Sequence, residues 1–327
     1  MTILVTGGAG FIGGHLAETF AADGHDVVVL DNFDPYYDQR LKEHNVEVGR
    51  AAAERGGGSY ELVEGDVRDA DLVETLVGDA DYIYHQAAQA GVRADIGPRK
   101  YDRVNVDGTL NVLDAARDHG AERLVIASSS SVYGKPRYLP YDEEHPTTPV
   151  SPYGASKLAA ERYAMVYAER YGVPAVALRY FTVHGPRMRP NMAISNFVSR
   201  CLNGDPPVIY GDGRQTRDFT YVEDVCTANT VLLGTDAADG EVLNVGSTDT
   251  IAIETLAREI RDELAPELDL EYTEAYDIDA DHTHASIEKA SELIGYEPTH
   301  GIHEGVGKFI EWYRNNREWY EPLVRNS

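Results

Sequence analysis

Two short apolar runs, residues 3–5 and 26–30, lie on either side of a helical stretch at residues 11–22, and glycines precede that stretch. A strand, a helix and a second strand within about 30 residues form the unit from which parallel sheets are built. The crossover helix brings the second strand back beside the first, in the same direction. The N-terminal sequence therefore predicts a parallel sheet.

The same alternation of apolar runs and helical stretches continues far along the chain. Further strand candidates lie at residues 60–63, 82–84, 124–127 and 175–178. Helical stretches lie between them, at residues 70–77, 100–119 and 151–171. Such alternation is typical of an α/β fold in which helices cover both faces of a sheet. We therefore predict a Rossmann-type, doubly wound parallel sheet. Residues 33–58, which end in three consecutive glycines, are predicted to form a long loop.

The sequence changes character after residue 180, where prolines interrupt the chain and the strand candidates become short. This composition predicts a smaller C-terminal α+β lobe above the carboxyl ends of the strands, where ligands bind in such folds. The predicted division assigns residues 1–179, with about 224–246, to the first domain. Residues 180–223 and 247–327 form the lobe. The segment up to residue 246 returns to the first domain because its end has the pattern of a strand.

The net charge excludes several classes of partner. The chain has 55 acidic and 29 basic residues, a formal net charge of -26, so nucleic acids and anionic membranes would be repelled. Only six of the basic residues are lysines. This composition predicts a surface adapted to concentrated salt, where the Debye length falls to about 3 Å; an ordinary acidic surface is the alternative.

The two cysteines, Cys201 and Cys226, lack metal-ligand spacing and are too few for a disulfide framework. They fit a reducing, cytoplasmic interior, and no metal site is expected. The sequence also has no signal peptide pattern and no long apolar run, so neither export nor membrane insertion is expected.

Gly7, Gly10 and Gly13 stand where the first predicted strand passes into the first helix. Glycines at this spacing allow a tight turn, the approach of a pyrophosphate to the backbone, and close packing of helix on strand. The helix N-terminus then offers N–H groups and a positive dipole to phosphates. Asp31 ends the next strand, where a carboxylate accepts hydrogen bonds from a ribose diol and repels a 2′-phosphate. The pattern predicts a dinucleotide site that prefers NAD to NADP.

Tyr153 and Lys157 are four residues apart in a helical stretch and therefore share one of its faces. A nearby ammonium favours the phenolate, so the pair suits a general base near neutral pH. Ser129 belongs to a run of four serines at the carboxyl end of the strand at residues 124–127. These hydroxyls can hydrogen-bond a substrate hydroxyl and the tyrosine together. A partly exposed helix face and a serine-capped turn are the alternatives.

Together these motifs resemble the extended short-chain dehydrogenase/reductase family, and within it the nucleotide-sugar epimerases and dehydratases. The resemblance covers essentially the whole chain, through residues 7–13, 85–88, 105–109, 128–134, 153–157, 178–186 and 217–224. It implies Tyr153 as the base, Lys157 as the residue that binds the nicotinamide ribose and lowers the tyrosine's pKa, and Ser129 as the assisting hydroxyl. It implies that NAD contacts Gly7, Gly10, Phe11, Ile12, Gly13, Asp31, Asn32, Asp66, Val67, Ala87, Ala88, Asn105, Lys157 and Tyr180.

The two residues just before a Val-Tyr-Gly segment distinguish the reactions of this family. Members that dehydrate or decarboxylate their sugar carry a glutamate, often with an aspartate, just before a Val-Tyr-Gly segment, which is residues 132–134 here. Because Ser130 and Ser131 occupy those positions, the resemblance implies a 4-epimerase. Such an enzyme oxidises C4 of the sugar with NAD and returns the hydride to the other face of the 4-keto sugar. A dehydrogenase that releases NADH and a catalytically silent NAD-binding protein are the alternatives.

The sugar is implied by further segments. Residues 87–93, Thr182 and residues 189–193 resemble the epimerases of UDP-glucuronate, although Asn191 replaces an aspartate of their last segment. A UDP-glucose or UDP-N-acetylhexosamine 4-epimerase is the alternative. The resemblance implies that the UDP-sugar contacts Arg93, Ser129, Ser130, Ser131, Tyr153, Thr182, Arg189, Val208, Tyr210, Arg217 and Asp279.

Charge and assembly give two further expectations. An acidic chain needs a local cationic pocket to bind a dianionic UDP-sugar. The candidates for that pocket are Arg93, Arg187, Arg189, Arg214 and Arg217. The resemblance also implies a homodimer in which the helices near residues 100–119 and 151–171 pack across a two-fold axis.

Overall fold

The computed structural model describes residues 1–91, 96–275 and 281–325. The strands are β1 (Thr2–Thr6), β2 (Asp26–Asp31), β3 (Ser59–Glu64), β4 (Tyr82–His85), β5 (Arg123–Ser129), β6 (Ala175–Tyr180), β7 (Thr182–His184), β8 (Val208–Tyr210), β9 (Thr216–Tyr221), β10 (Val242–Val245), β11 (Thr250–Ala252) and β12 (Glu271–Thr273). The helices are α1 (Phe11–Ala22), α2 (Gln39–Gly56), α3 (Ala70–Gly78), α4 (Pro98–Tyr101), α5 (Gly108–His119), α6 (Pro152–Tyr171), α7 (Ala193–Leu202), α8 (Val222–Thr230), α9 (Ile253–Leu264), α10 (Glu288–Ile294) and α11 (Ile302–Arg325). A π-helical segment, Asp102–Asp107, joins α4 to α5.

A seven-stranded sheet has the order β10-β6-β5-β4-β1-β2-β3. Every neighbouring pair in it is parallel. The strand order reverses between β1 and β4, and such a reversal opens a crevice at the carboxyl ends of the strands. The predicted doubly wound parallel sheet is confirmed, and each strand candidate before residue 180 lies in it.

The large sheet is apolar on both faces because helices cover both. In β1, Ile3 and Val5 pack into one hydrophobic cluster, whereas Leu4 packs into the cluster on the other face. All seven residues of β5 and all six of β6 are buried. Full burial of one large aliphatic side chain stabilises the fold by about 1.5–3 kcal/mol. The sheet is therefore a firm base for the loops at its carboxyl edge.

The prediction of a loop at residues 33–58 is wrong, because α2 occupies most of this segment. Asp38 caps the helix, since its side chain accepts a hydrogen bond from the backbone N–H of Arg40 at 3.0 Å. Buried residues recur at helical spacing along one face: Leu41, Lys42, Asn45, Val46, Gly49, Ala52 and Ala53. Lysine, asparagine and glycine on this face conceal the apolar periodicity on which the sequence prediction depended.

The chain after β6 builds two small sheets, in the orders β11-β9-β7 and β12-β8. Helices α7, α9 and α11 belong to this part of the chain, and α7 packs against both others. β10 instead pairs with β6 in the large sheet. The pattern of residues 244–246 predicts this return, and Leu243 and Val245 are fully buried there.

Candidate active site

The glycines after β1 form a cradle that larger side chains would fill. Gly7 has a φ of +67°, and a Cβ atom placed on Gly13 would lie 2.3 Å from the carbonyl oxygen of Gly7. α1 begins after Gly10, which has no side chain to cover the helix N-terminus. Asn45 of α2 donates from Nδ2 to the carbonyl oxygen of Gly10 at 3.0 Å, which fixes the turn. The backbone N–H groups and helix dipole therefore face an open crevice, as phosphate binding requires.

Asp31 lies at the end of β2 and is 5% exposed. Its Oδ2 accepts from the backbone N–H of Ala9 at 3.2 Å, and its Oδ1 accepts from that of Phe33 at 2.9 Å. The ammonium of Lys42 lies 3.0 Å from the same Oδ1. Sequence reasoning missed Lys42. The signal for it was helical spacing in residues 39–56, where Lys42 and Asn45 share one face.

The first cavity, of about 410 Å³, lies at the carboxyl ends of β1, β2, β4, β5 and β6. It brings most of the predicted residues together. The predicted residues that line it are Gly7, Gly10, Phe11, Ile12, Gly13, Asp31, Asn32, Val67, Ala87, Ala88, Ser129, Ser130, Ser131, Tyr153, Lys157, Tyr180, Thr182 and Arg189.

Asp66 and Asn105 do not line the first cavity, although both are predicted to contact the cofactor. Asp66 accepts hydrogen bonds from Arg68 and from Asn32 Nδ2, at 2.7 Å in each case, and Arg68 holds its pKa well below the usual range. Asn105 is buried in the π-helical segment and bonds the backbone N–H of Gln89 at 2.7 Å. Asp66 and Asn105 therefore each bond a residue that lines the cavity, Asn32 and Gln89 respectively.

Tyr153, Lys157 and Ser129 meet in the first cavity. Burial raises the pKa of Tyr153, while a hydrogen bond with Ser129 and the guanidinium of Arg189 lower it. The ammonium of Lys157 donates to the carbonyl oxygen of Ala127 at 2.8 Å, and burial lowers its pKa to about 8. In this structure, Ser129 and Arg189 are thus the neighbours that favour the Tyr153 phenolate.

Glu161 lies one turn beyond Lys157 on α6 and is fully buried. Its carboxylate accepts from Ser128 Oγ at 2.7 Å and forms a two-point pair with Arg179, whose Nε and Nη2 lie 2.9 and 2.7 Å away. Arg179 also donates to the hydroxyl of Tyr133 at 2.8 Å. This network ties α6 to the serine turn at the end of β5. Sequence reasoning missed it, although residues 153, 157 and 161 continue a single helical spacing.

A second cavity, of about 950 Å³, adjoins the first. Val208, Tyr210 and Arg217, which are predicted to contact the substrate, line it. Thr182 and Arg189 line both cavities, and so mark their junction. The predicted contacts Arg93 and Asp279 lie outside the described residues.

Two of the predicted cationic candidates do not line either cavity. Arg187 is buried against α1, where it pairs with Glu18, and Arg214 has a side chain that is 86% exposed. The second cavity contains two cations that sequence reasoning missed, Lys100 and Arg200. Nothing local in the sequence identifies them, because long-range packing brings their helices to this cavity.

Comparison with known proteins decides the family. The sequence model of the NAD dependent epimerase/dehydratase family matches residues 3–246. The chain belongs to this family.

Members of the family resemble the chain over nearly its whole length. A UDP-glucuronate 4-epimerase of Thermodesulfobacterium geofontis is 33% identical over 324 residues, 98% of each chain. The crystal structure of UDP-glucuronic acid 4-epimerase from Bacillus cereus, in complex with UDP-glucuronic acid and NAD, has 32% identity and a TM-score of 0.89, and the match covers 97% of this chain and 100% of that one. The crystal structure of UDP-glucose 4-epimerase from Thermotoga maritima, with UDP-glucose, has 29% identity and a TM-score of 0.87 over the same shares.

The first cavity fits the cofactor of this epimerase/dehydratase family. The glycine cradle leaves room for a pyrophosphate, and Asp31 and Lys157 lie at positions that suit the two riboses. The predicted family and its NAD dependence are confirmed. Among the described residues, no helix has the length and apolar character needed to cross a membrane.

Proposed function

We propose that this protein is an NAD-dependent UDP-sugar 4-epimerase that prefers UDP-glucuronate. The junction of the two cavities carries the proposal. Tyr153 and Ser129 line the first cavity, while Thr182 and Arg189 line both. A sugar at this junction would meet Tyr153 as a proton acceptor on one side, and the Arg189 cation with the Thr182 hydroxyl on another. The names of the relatives agree with the reaction, and include both the uronate and the hexose.

Tyr153 takes the proton of the sugar 4-hydroxyl in the proposed reaction, and Ser129 hydrogen-bonds the same oxygen. NAD, when bound, would supply the acceptor for the C4 hydride, and its reduced form would be the source of the hydride that returns to C4. After the 4-keto sugar has turned its other face, Tyr153 returns the proton to the oxygen. No net oxidation occurs, so the cofactor should remain bound between turnovers. Lys157 would hold the nicotinamide ribose beside the tyrosine.

Ser130 and Ser131 support epimerisation over dehydration. Both line the first cavity next to Ser129, and neither can act as the carboxylic acid or base that elimination from a 4-keto sugar requires. Their hydroxyls can instead donate hydrogen bonds. Serine at these positions therefore favours a reaction that stops at the 4-keto sugar.

The preference for a uronate depends on Arg189 and Thr182. In the described part of the chain, no carboxylate lies within 4.0 Å of the Arg189 guanidinium, which instead faces the ring of Tyr36 at 5.7 Å. Arg189 is half-buried, and a cation of this kind without a carboxylate partner favours an anionic ligand. Thr182 would add a hydroxyl donor to the sugar carboxylate. UDP-glucose, whose C6 hydroxyl has no charge, is the second candidate.

The UDP part would occupy the second cavity. Lys100, Arg189, Arg200 and Arg217 line it together with one carboxylate, Asp34, which pairs with Lys100 at 2.9 Å. The lining therefore has an excess of positive charge although the chain as a whole is acidic. Arg217 would contact the diphosphate, with Val208 and Tyr210 near the uridine. This assignment keeps the proposed division, in which residues 1–179 with about 224–246 bind NAD and the rest bind the nucleotide sugar.

The reaction is tested by incubating the purified protein, without added NAD, with UDP-glucuronate, UDP-glucose and UDP-N-acetylglucosamine. We expect NMR of the products to show UDP-galacturonate as the fastest product. Accumulation of NADH would instead indicate a dehydrogenase. No conversion of any UDP-sugar by protein that carries NAD would contradict the proposed reaction.

Thr182→Val is expected to change the choice of sugar. It removes one hydroxyl donor at the junction, so kcat/KM for UDP-glucuronate should fall about tenfold, a typical loss for one hydrogen bond to a charged group. The value for UDP-glucose serves as the internal control and should change little. An equal fall for both sugars, measured by initial rates, would contradict a contact with the carboxylate.

Salt is expected to act in two opposed ways. It relieves the self-repulsion of a chain with net charge -26, and it also screens the attraction of the cationic cavity for substrate. We expect low activity in dilute buffer, a rise toward molar KCl, and a KM that rises over the same range. Full activity and folding without salt would exclude salt adaptation and leave the epimerase proposal intact.

A homodimer is expected through α5 and α6. Tyr163 and Val166 of α6 have exposed fractions of 44% and 49%, which is high for large apolar side chains. A second copy packed on this face would cover them. Light scattering in high salt should give twice the chain mass of 36.0 kDa, and Val166→Glu should lower it. A wild-type mass of one chain would refute the dimer.

A further inference from the structure

Lys42 is a buried lysine that the proposed reaction does not use. It is 7% exposed, and its ammonium lies 3.0 Å from Asp31 Oδ1. The ammonium also lies 5.9 Å from the centre of the Phe33 ring and 5.6 Å from that of Tyr37. A buried lysine without a charged partner is costly, so the pair with Asp31 explains how this one is tolerated.

Lys42 is placed to contact a ligand in the first cavity as well as to pair with Asp31. Both side chains line the first cavity, together with Asn32 and Tyr37. An ammonium has three N–H donors, and in the described residues Asp31 is its one hydrogen-bond acceptor. The other donors therefore remain available to a ligand in the cavity.

The pair changes the electrostatics at the end of β2. A lone carboxylate there would repel a 2′-phosphate and so select NAD. Because the ammonium of Lys42 lies 3.0 Å from Asp31 Oδ1, the two opposite charges cancel for a group some distance away. The repulsion of a 2′-phosphate by Asp31 is therefore weaker. Removal of Asp31 would leave a buried cation facing the cavity, which is the usual partner of a phosphate.

We propose that Lys42 is a specificity-determining residue for the dinucleotide. Paired with Asp31, it contacts the adenosine ribose, and it binds a 2′-phosphate when Asp31 is absent. The balance of these two side chains sets the selectivity between NAD and NADP. This inference rests on the dinucleotide part of the proposed function and is independent of the sugar and the reaction.

A cycle of variants tests this role by binding alone. Wild type, Asp31→Ala, Lys42→Met and the double variant are each equilibrated with a defined mixture of NAD and NADP. The ratio of bound nucleotides is then measured by mass spectrometry after separation from free ligand. We expect Asp31→Ala to shift the ratio toward NADP by at least about tenfold, and the added Lys42→Met to reverse that shift, because a charged hydrogen bond is lost.

Two further variants separate contact from packing. Asp31→Ala/Lys42→Arg retains the cation and should keep the gain toward NADP. Arg40→Met removes a positive charge from α2 at an exposed side chain paired with Asp38, and should leave the ratio unchanged. The double variant buries neither charge, so it remains informative even if Lys42→Met alone unfolds.

A double variant that keeps the full shift of Asp31→Ala would overturn the proposal, since Lys42 would then only pin α2 to β2. The same holds if Arg40→Met, added to Asp31→Ala, reverses the shift as far as Lys42→Met does. Wild-type protein that binds neither nucleotide would overturn the proposed function itself, and this inference with it.

Discussion

Tyr153→Phe is expected to lower kcat by about 10²–10⁴, the usual cost of removing a positioned general base. Phenylalanine keeps the ring and its packing, so folding and NAD content should remain those of the wild type. The physical reason is that the 4-hydroxyl proton then has no acceptor in the first cavity where Tyr153 and Ser129 meet. Turnover is measured with each UDP-sugar, and NAD content by release from denatured protein.

Tyr171→Phe is the matched control for this prediction. It removes the same hydroxyl from the end of the same helix, where the side chain is 49% exposed and away from both cavities. Its turnover should equal that of the wild type. A Tyr153→Phe variant with wild-type turnover would remove Tyr153 from the reaction.

Glu161→Ala is expected to cause the largest loss of stability, about 3–5 kcal/mol, because it leaves the buried guanidinium of Arg179 without its carboxylate. The Glu161 and Arg179 side chains are 0% and 2% exposed. The serine turn also loses the anchor of Ser128 Oγ on Glu161. The free energy of unfolding is measured by urea denaturation in high salt.

Glu304→Ala is the matched control for Glu161→Ala. Glu304 pairs with Lys308 one turn along α11, and the two side chains are 54% and 37% exposed. Exposed helical pairs contribute at most about 0.5 kcal/mol, so this variant should unfold almost as the wild type does. Equal losses of unfolding free energy in the two variants would contradict the expectation that a buried ion pair contributes more to stability than an exposed one.

The fold was predictable wherever its determinants are local. The order of the strands in the large sheet, and of most helices that cover it, follows from apolar runs and their spacing. The glycines after β1 mark a backbone turn that suits a pyrophosphate. α2 was missed because Lys42, Asn45 and Gly49 lie on its buried face. Lys42 pairs with Asp31, Asn45 bonds the glycine turn, and Gly49 lies against the ring of Tyr60. A local pattern does not contain these contacts.

The sequence by itself determined that Tyr153, Lys157 and the serines come together in the first cavity. The four-residue spacing of Tyr153 and Lys157 places them on one helix face, and the serines end a strand at the same edge of the sheet. Helical and parallel-sheet geometry are periodic, so these positions follow from spacing alone.

Only the tertiary structure decided the partners of these residues. Asp31 meets Lys42, Ser128 meets Glu161, and Arg189 reaches the ring of Tyr36. It also decided that Arg187 pairs with Glu18 rather than facing a ligand. The physical reason is that a charge is stabilised by whatever folding brings within a few ångströms of it, and residues far apart in the sequence leave no periodic trace of that contact.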